Sequence, residues 1–343
     1  MDVEPLFRFL DQVRADLFPS GLRFVQARGH AYTLRKVREE PLAPRIDIVT
    51  YDQLIRSRRL PRATYIFTDF DRLTAYDRDL ASVIYLRLRE AGVPVLNNPA
   101  RVKTRFALLR ALYQAGINRF NVYRVEEGVW PERYPVFLRQ ECSHTKPLTE
   151  LLHSREEIER AIEEAVGEGY SVSSLLIVEF CGEPVRPGIY RKLASFRMGK
   201  EEFAFVCNHQ PHWMVKSTKP GCASDELYRE EFRITRENPY REALRRAFAI
   251  AEIEFGRVDY GLVGGLPQIY EINTNPNMIH LQTDPDPIRM EALDLYWSNY
   301  IAALHKLPRD RDPQGAAVEL DHPALRYHQR RSVLFPVRSR FFR

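Results

Sequence analysis

The stretch FGRVDYGLVGGLPQIYEINTNPNM, residues 255–278, carries three hard oxygen donors at spacings that strand geometry can bring together. The pair Gly264-Gly265 separates two alternating apolar runs, which predicts a β-hairpin turning at the glycines. Side chains alternate faces along a strand, so Glu271 and Asn273 share one face and Ile272 takes the other. With an odd number of residues in the loop, such as 264–266, Asp259 stands directly opposite Glu271 on that face. Two carboxylates and an amide oxygen then converge. Such a set suits Mg2+, which prefers a few carboxylates plus substrate phosphates to a closed protein cage. A polar hairpin face open to solvent fits the same pattern.

Other residues invite a chemical role. Arg257 shares a strand face with Asp259 and could serve a substrate or only an ion-pair network. Arg191 and Arg197 share one face of the run IYRKLASFRM, where either could clamp a carboxylate. Lys216, in WMVK, could contact phosphate or simply be solvated. His209 and His212 have an H-x-x-H spacing, but away from a helix this reads more simply as two polar loop histidines. Cys142, Cys181, Cys207 and Cys222 form no CxxC, which predicts reduced thiols rather than a zinc ribbon or a disulfide framework.

The elements around these residues begin with an α/β pattern. IDIVT (46–50), TYIFT (64–68) and VPVL (93–96) read as strands, with a helix through DRDLASVIYLRLREAG between the last two. That order implies a small parallel sheet. Asn97-Asn98-Pro99 breaks the pattern, and a helix follows through RFALLRALYQAG. A strand, YPVFLR (134–139), leads into the polar loop QECSHTKPLT. Then comes a helix with a capping box, Ser154 accepting from the Glu157 amide and the Glu157 carboxylate reaching back. After the strand SLLIVEFC (174–181) the chain reads as an antiparallel sheet, IYRKLASFRM followed by EFAFVCNH. A helix is expected to start at Asn238-Pro239, with asparagine as N-cap.

In this order the segments resemble the ATP-grasp superfamily, in particular its glutathione-synthetase-type carboxylate–amine or thiol ligases. The resemblance covers roughly residues 90–280. It rests on the Asp259…Glu271-x-Asn273 hairpin, the turn Asn98-Pro99, the strand PVFLR, the loop QECSHTKP and the hinge VEFC. It implies an ATP-grasp fold, α/β with an α+β C-terminal half. The implied parts are a pre-ATP-grasp domain (1–98), a central lobe (99–181), a C-terminal lobe with the metal hairpin (182–320) and a basic tail (321–343). ATP would lie between two antiparallel sheets, with adenine on the backbone of Glu179, Phe180 and Cys181 and ribose at Glu183. Asp259, Glu271 and Asn273 would hold Mg2+ (or Mn2+) against the phosphates. Where the family usually carries lysines, this chain has Arg139 and Arg105. Its loop offers Ser143, His144, Thr145 and Lys146 in place of glycines, so phosphate binding there would use side chains. Arg139, Arg191 and Arg257 are the expected catalytic cations.

Composition sets limits on the rest. At 343 residues, 44% hydrophobic and 28% charged, the chain is globular and long enough for two or three lobes. No apolar run reaches membrane-spanning length, and the start lacks a signal-peptide layout, so the cytoplasm is the expected compartment. The net charge of +5 comes from 51 bases and 46 acids, with arginine scattered throughout, which argues against a nucleic-acid binder. Only the tail RYHQRRSVLFPVRSRFFR concentrates arginine, and packing of Leu334, Phe335, Phe341 and Phe342 on the body is the favoured reading there. The expected activity is ADP-forming, carbon–nitrogen ligation of a small-molecule or peptide carboxylate with an amine. The alternatives are a phosphotransferase without an amine acceptor, and an ATP-binding module without turnover.

Overall fold

Why the first hundred residues form a parallel sheet is visible in their burial. Strand β1 (Leu22–Gln26), not recognised in the sequence, is the inner strand between β2 (Ile46–Thr50) and β3 (Thr64–Phe67). All pairs are parallel, and β4 (Val95–Leu96) completes the order β2-β1-β3-β4. Strand β3 is buried along its whole length, as expected of a sheet covered on both faces. The predicted helix is present as α1 (Ala75–Glu90), whose N-cap Thr74 accepts from the Asp77 amide at 3.1 Å. This computed structural model describes residues 21–142, 146–205, 207–217, 221–278 and 286–334. The loop residues Ser143, His144 and Thr145 and the tail residues Phe335, Phe341 and Phe342 lie outside that set, as does the side chain of Leu334.

Helix α2 (Arg105–Gln114) leads into a central lobe of three antiparallel strands, β5 (Val122–Arg124), β6 (Val136–Gln140) and β7 (Leu175–Glu179), with β7 in the middle. Helix α3 (Arg155–Gly167) covers one face through Ile158, Ala161 and Ala165. Its cap differs from the expected box in one bond. Ser154 does accept from the Glu157 amide at 3.2 Å, but the Glu157 carboxylate takes the amide of His153 at 2.7 Å instead.

The C-terminal lobe is built on β8 (Ile189–Met198). It pairs antiparallel with β9 (Glu201–Ala204), with β10 (Asn208–Gln210) and with β11 (Phe255–Val263), which pairs with β12 (Leu266–Asn273). Helix α4 (Asp225–Glu237), unforeseen in the sequence, precedes α5 (Arg241–Ala251). The expected N-cap at Asn238 is overturned. Asn238 closes α4 in the left-handed region (φ 46°), and its side chain donates to Glu202 O at 3.1 Å. Helix α5 begins three residues later. Helix α6 (Pro287–Lys306) joins Leu22, Phe24, Ile66 and Leu96 of the parallel sheet to Phe196, Phe203 and Phe255 of the C-terminal sheet in one core. Val318–Glu319 then pairs with Arg59–Leu60, and Val318, Leu320 and Leu325 enter the core of the first unit. Two antiparallel sheets thus face each other beside a parallel α/β unit, the architecture implied by the ATP-grasp resemblance. No helix among the described residues is long and apolar enough to cross a membrane.

Candidate active site

The hairpin turns on two residues, not three. Val263 pairs with Leu266, and Gly264 and Gly265 between them have φ of 57° and 75°, the left-handed pair that a tight type I′ turn requires. With a two-residue turn alone, Asp259 would fall out of register with Glu271. The expected opposition is present all the same, because the register shifts by one between Tyr260↔Ile269 and Asp259↔Glu271. Tyr270 is the extra residue of a β-bulge. A bulge sets two residues against one and re-aims the side chains beyond it. The odd-loop expectation is therefore corrected: the parity is supplied by Tyr270 within the strand.

The bulged side chain has a use. Tyr270 crosses the face of β11, and its hydroxyl donates to the Cys181 carbonyl at 3.1 Å, tying the hairpin to the central lobe. The crossing depends on Gly261, where an added Cβ would lie 2.1 Å from the phenol oxygen. Gly261→Ala is expected to push Tyr270 off Cys181 and cost about 1–3 kcal/mol of stability from overpacking. Adding Tyr270→Phe, which removes the clashing oxygen, should recover part of the stability. Thermal melts of the single and double variants check this.

The cleft between the sheets has an aromatic end and a charged end. Phe120, Phe137, Phe180, Trp213 and Tyr270 line the first. Trp213 stands against Phe137 (5.1 Å between centroids) and Phe180 (5.6 Å). Its indole donates to Glu150 at 2.8 Å, and the same carboxylate meets His212 at 3.1 Å. That contact disposes of a His209–His212 metal pair. His209 is buried in β10 opposite Arg191, and burial, then Arg191 and Arg289, push its pKa down to about 4.

Of the expected hinge residues, Glu179 turns its side chain into the lobe. It accepts from the Asn121 amide (2.8 Å), the Tyr123 hydroxyl (3.0 Å) and Arg133 (2.9 Å). The Phe180 amide donates to Pro135 O at 2.8 Å. Glu183 lies at the rim and accepts from the Gly264 amide at 3.0 Å, so it also braces the hairpin turn.

At the charged end Asp259 is 1% exposed. Arg257 donates to its Oδ1 at 2.7 Å and Lys192 to its Oδ2 at 2.9 Å. Burial pushes the Asp259 carboxyl up, but Arg257 and Lys192 overcome this and hold it below the usual range. Glu271 is ion-paired with Arg105. Burial again opposes its charge, and Arg105, Arg139, Lys192 and Arg257 together hold it at about 2. Arg139 is pushed down to about 9, first by burial and then by Arg105, with Glu271 opposing. Burial lowers Lys216 as well, and Glu271 supports its charge. Five cations thus surround two ionised carboxylates, an excess of positive charge in a cleft wall.

Lys192 is the member the sequence reading missed, and Arg191 was named in its place. Ala194 pairs with Asp259, so alternation puts Lys192 on the cleft face. Arg191 is among the residues lining the cleft, but it lies on the opposite strand face from Lys192 and is ion-paired with Glu230 of α4 at 2.8 Å. Lys146 is exposed and lines neither the cleft nor its neighbouring cavity. Asn273 is two residues beyond Glu271, and its Oδ1 accepts from the Asn275 amide at 2.8 Å.

Among the described residues no group of three acid, histidine or cysteine side chains could hold a metal ion. Two ionised carboxylates opposite one another, with an amide oxygen on the same strand, still form a hard-oxygen set that fits a divalent cation completed by phosphates.

No family model matches the chain, and no curated protein matches it. Several solved structures are similar to it. One is a D-alanine–D-alanine ligase from Bacillus anthracis, 10% identical with a TM-score of 0.45, the match covering 84% of this chain and 99% of that one. A RimK domain protein ATP-grasp from Sphaerobacter thermophilus is 16% identical with a TM-score of 0.46, covering 80% and 98%. A D-alanine–D-alanine ligase from Helicobacter pylori is 10% identical with a TM-score of 0.46, covering 84% and 99%.

Proposed function

We propose that this chain is an ATP-dependent ligase that activates a substrate carboxylate as an acyl phosphate for attack by an amine. The observation that carries the reading is the two-ended cleft, with an aromatic end continuing into a cluster of five cations around Asp259 and Glu271. A polyanionic triphosphate complements that end, and phosphoryl transfer depends mainly on positioning and charge neutralisation.

In this mechanism Phe137, Phe180 and Trp213 enclose adenine, with the Glu179–Cys181 backbone at its edge. Arg105, Arg139, Lys192 and Lys216 bind the phosphates. Asp259, Glu271 and Asn273 would hold Mg2+, which would supply charge neutralisation to the phosphates. Arg257 acts through Asp259, holding that carboxylate in place by donating to its Oδ1. The amine nitrogen then attacks the acyl carbon. The C–N bond forms, the C–O bond to phosphate breaks, and the nitrogen proton passes to solvent. ADP release measured across acids and amines tests the reading. ADP formed equally without any amine would point instead to a phosphotransferase.

One observation supports the second reading, binding without turnover: protein cations already occupy both oxygens of Asp259. Under the ligase reading Lys192 leaves Asp259 for phosphate when nucleotide enters, so the metal binds well only together with ATP. Lys192→Met is then expected to raise the nucleotide-free affinity for Mn2+ by about 10-fold or more, the worth of one charged hydrogen bond. Calorimetric titration of MnCl2 without nucleotide checks this, and equal weak binding in both proteins would count against the exchange.

A further inference from the structure

A second cavity adjoins the nucleotide cleft. Glu271 lines both, so a ligand in the second cavity lies against the phosphate end and away from the aromatic slot. All three units form its walls: Phe70 and Arg78 from the first, Leu108 and Cys142 from the central segment, and Ile253 and Asn273 from the third. Much of the wall is hydrocarbon, including Phe70, Leu108 and Ile253. Its cations differ in how they are engaged. Lys103 meets Glu252 at 3.4 Å, and Arg105 is ion-paired with Glu271. Arg78 donates from Nη2 to Phe70 O at 3.2 Å, while its Nε is buried with no acceptor among the described residues, and none of their carboxylates is ion-paired with it. A buried guanidinium donor without an acceptor carries a desolvation cost that an anionic ligand would relieve.

From this arrangement we infer that the second cavity is the acid-substrate site, and that Arg78 selects an acid with a second carboxylate. The inference rests on the ligase reading. The reacting carboxylate must meet the γ-phosphoryl group at the Glu271 end. Arg78 belongs to a different wall, so it takes the other carboxylate, and a short apolar spacer runs between them along Phe70 and Leu108. A monocarboxylate leaves the Arg78 Nε without an acceptor. A site built to hydrogen-bond a group discriminates strongly against analogues that lack it.

The test uses hydroxylamine as the amine, which converts any acyl phosphate to a hydroxamate without knowledge of the natural acceptor. Glutarate, succinate and glutamate are compared with butyrate and 4-aminobutyrate in wild-type protein and in Arg78→Met, with Arg78→Lys as a variant that keeps the charge. The expected result is hydroxamate from a dicarboxylate, with KM raised at least about 10-fold in Arg78→Met, partial recovery in Arg78→Lys, and little change for the monocarboxylates. Equal use of mono- and dicarboxylates, or an unchanged KM in Arg78→Met, overturns the role of Arg78. Calorimetry of each acid in the presence of a non-hydrolysable ATP analogue separates the two claims. Dicarboxylate binding that is lost in Arg78→Met without any hydroxamate keeps the site and removes the ligase reading. No binding and no hydroxamate removes both.

Discussion

Glu271→Gln is expected to lower ADP formation by about 10²–10³-fold or more, the scale at which loss of one preorganised charge contact acts on a transition state. The amide keeps the shape of the side chain and removes the charge that lies at the meeting point of Arg105, Arg139, Lys192 and Arg257. Because that carboxylate is held at about 2, it is ionised at any ordinary pH. Its protonation therefore contributes nothing to a pH profile near neutrality, and the loss in the glutamine variant should be the same across that range. Folding should survive, since Glu271 occupies the cleft and not a hydrophobic core. A lowered melting temperature is still expected, because removing the anion leaves the four cations facing only Asp259. Steady-state ADP release at several pH values, beside a thermal melt, measures both effects. Turnover at the wild-type rate in a folded variant would remove Glu271 from the mechanism.

Arg139→Ala is expected to weaken ATP binding by about 1.5–3 kcal/mol, the range for charged hydrogen bonds. The position ends an apolar strand in which Val136 and Leu138 are fully buried, so Arg139 and Phe137 face the cleft. In the protein without nucleotide, burial and Arg105 both disfavour the Arg139 charge, and Glu271 supports it. Removing the guanidinium should therefore leave the melting temperature of the free protein unchanged or raised, while binding suffers. Arg139→Lys should keep part of the affinity, retaining the charge but losing the bidentate fork. Calorimetric titration of ATP into both variants decides it. Unchanged affinity with a lowered melting temperature would assign Arg139 to the fold.

Local pattern carried the reading of the sequence where one element contained the answer. Ser154 caps the helix it precedes, and Gly264-Gly265 turns the hairpin. Reading failed where the answer depended on which strand lies beside which. Arg191 and Arg197 do share a face, but only pairing with β11 shows that Lys192 and not Arg191 looks toward Asp259. The bulge at Tyr270 is a property of two strands together, so counting loop residues reached the correct opposition by a wrong route. Asn238-Pro239 failed for another reason. Asparagine before proline suits a helix start, yet asparagine also tolerates the left-handed residue that ends one. Helix α4 was overlooked because most of its residues are charged and its buried positions, Leu227, Tyr228, Glu231, Ile234 and Thr235, include few aliphatics. Strand β1, LRFVQ, has one β-branched residue where the recognised β2, IDIVT, has four.

The core beneath α6 has a mechanical consequence. Side chains from the parallel sheet, from α6 and from the C-terminal sheet interdigitate in one cluster, and the chain returns at Val318 and Leu325 to fasten the first unit again. Two of the three units that wall the second cavity are therefore one piece. The central lobe keeps a core of its own around Val136, Leu138, Ile158 and Ile177, and touches the rest through a smaller cluster at Leu109, Phe120 and Val178. Under the proposed function, a nucleotide would sit between this single piece and a lobe that packs around its own core. The Trp213 indole, donating to Glu150, and the Tyr270 hydroxyl, donating to the Cys181 carbonyl, bridge that lobe to the larger piece.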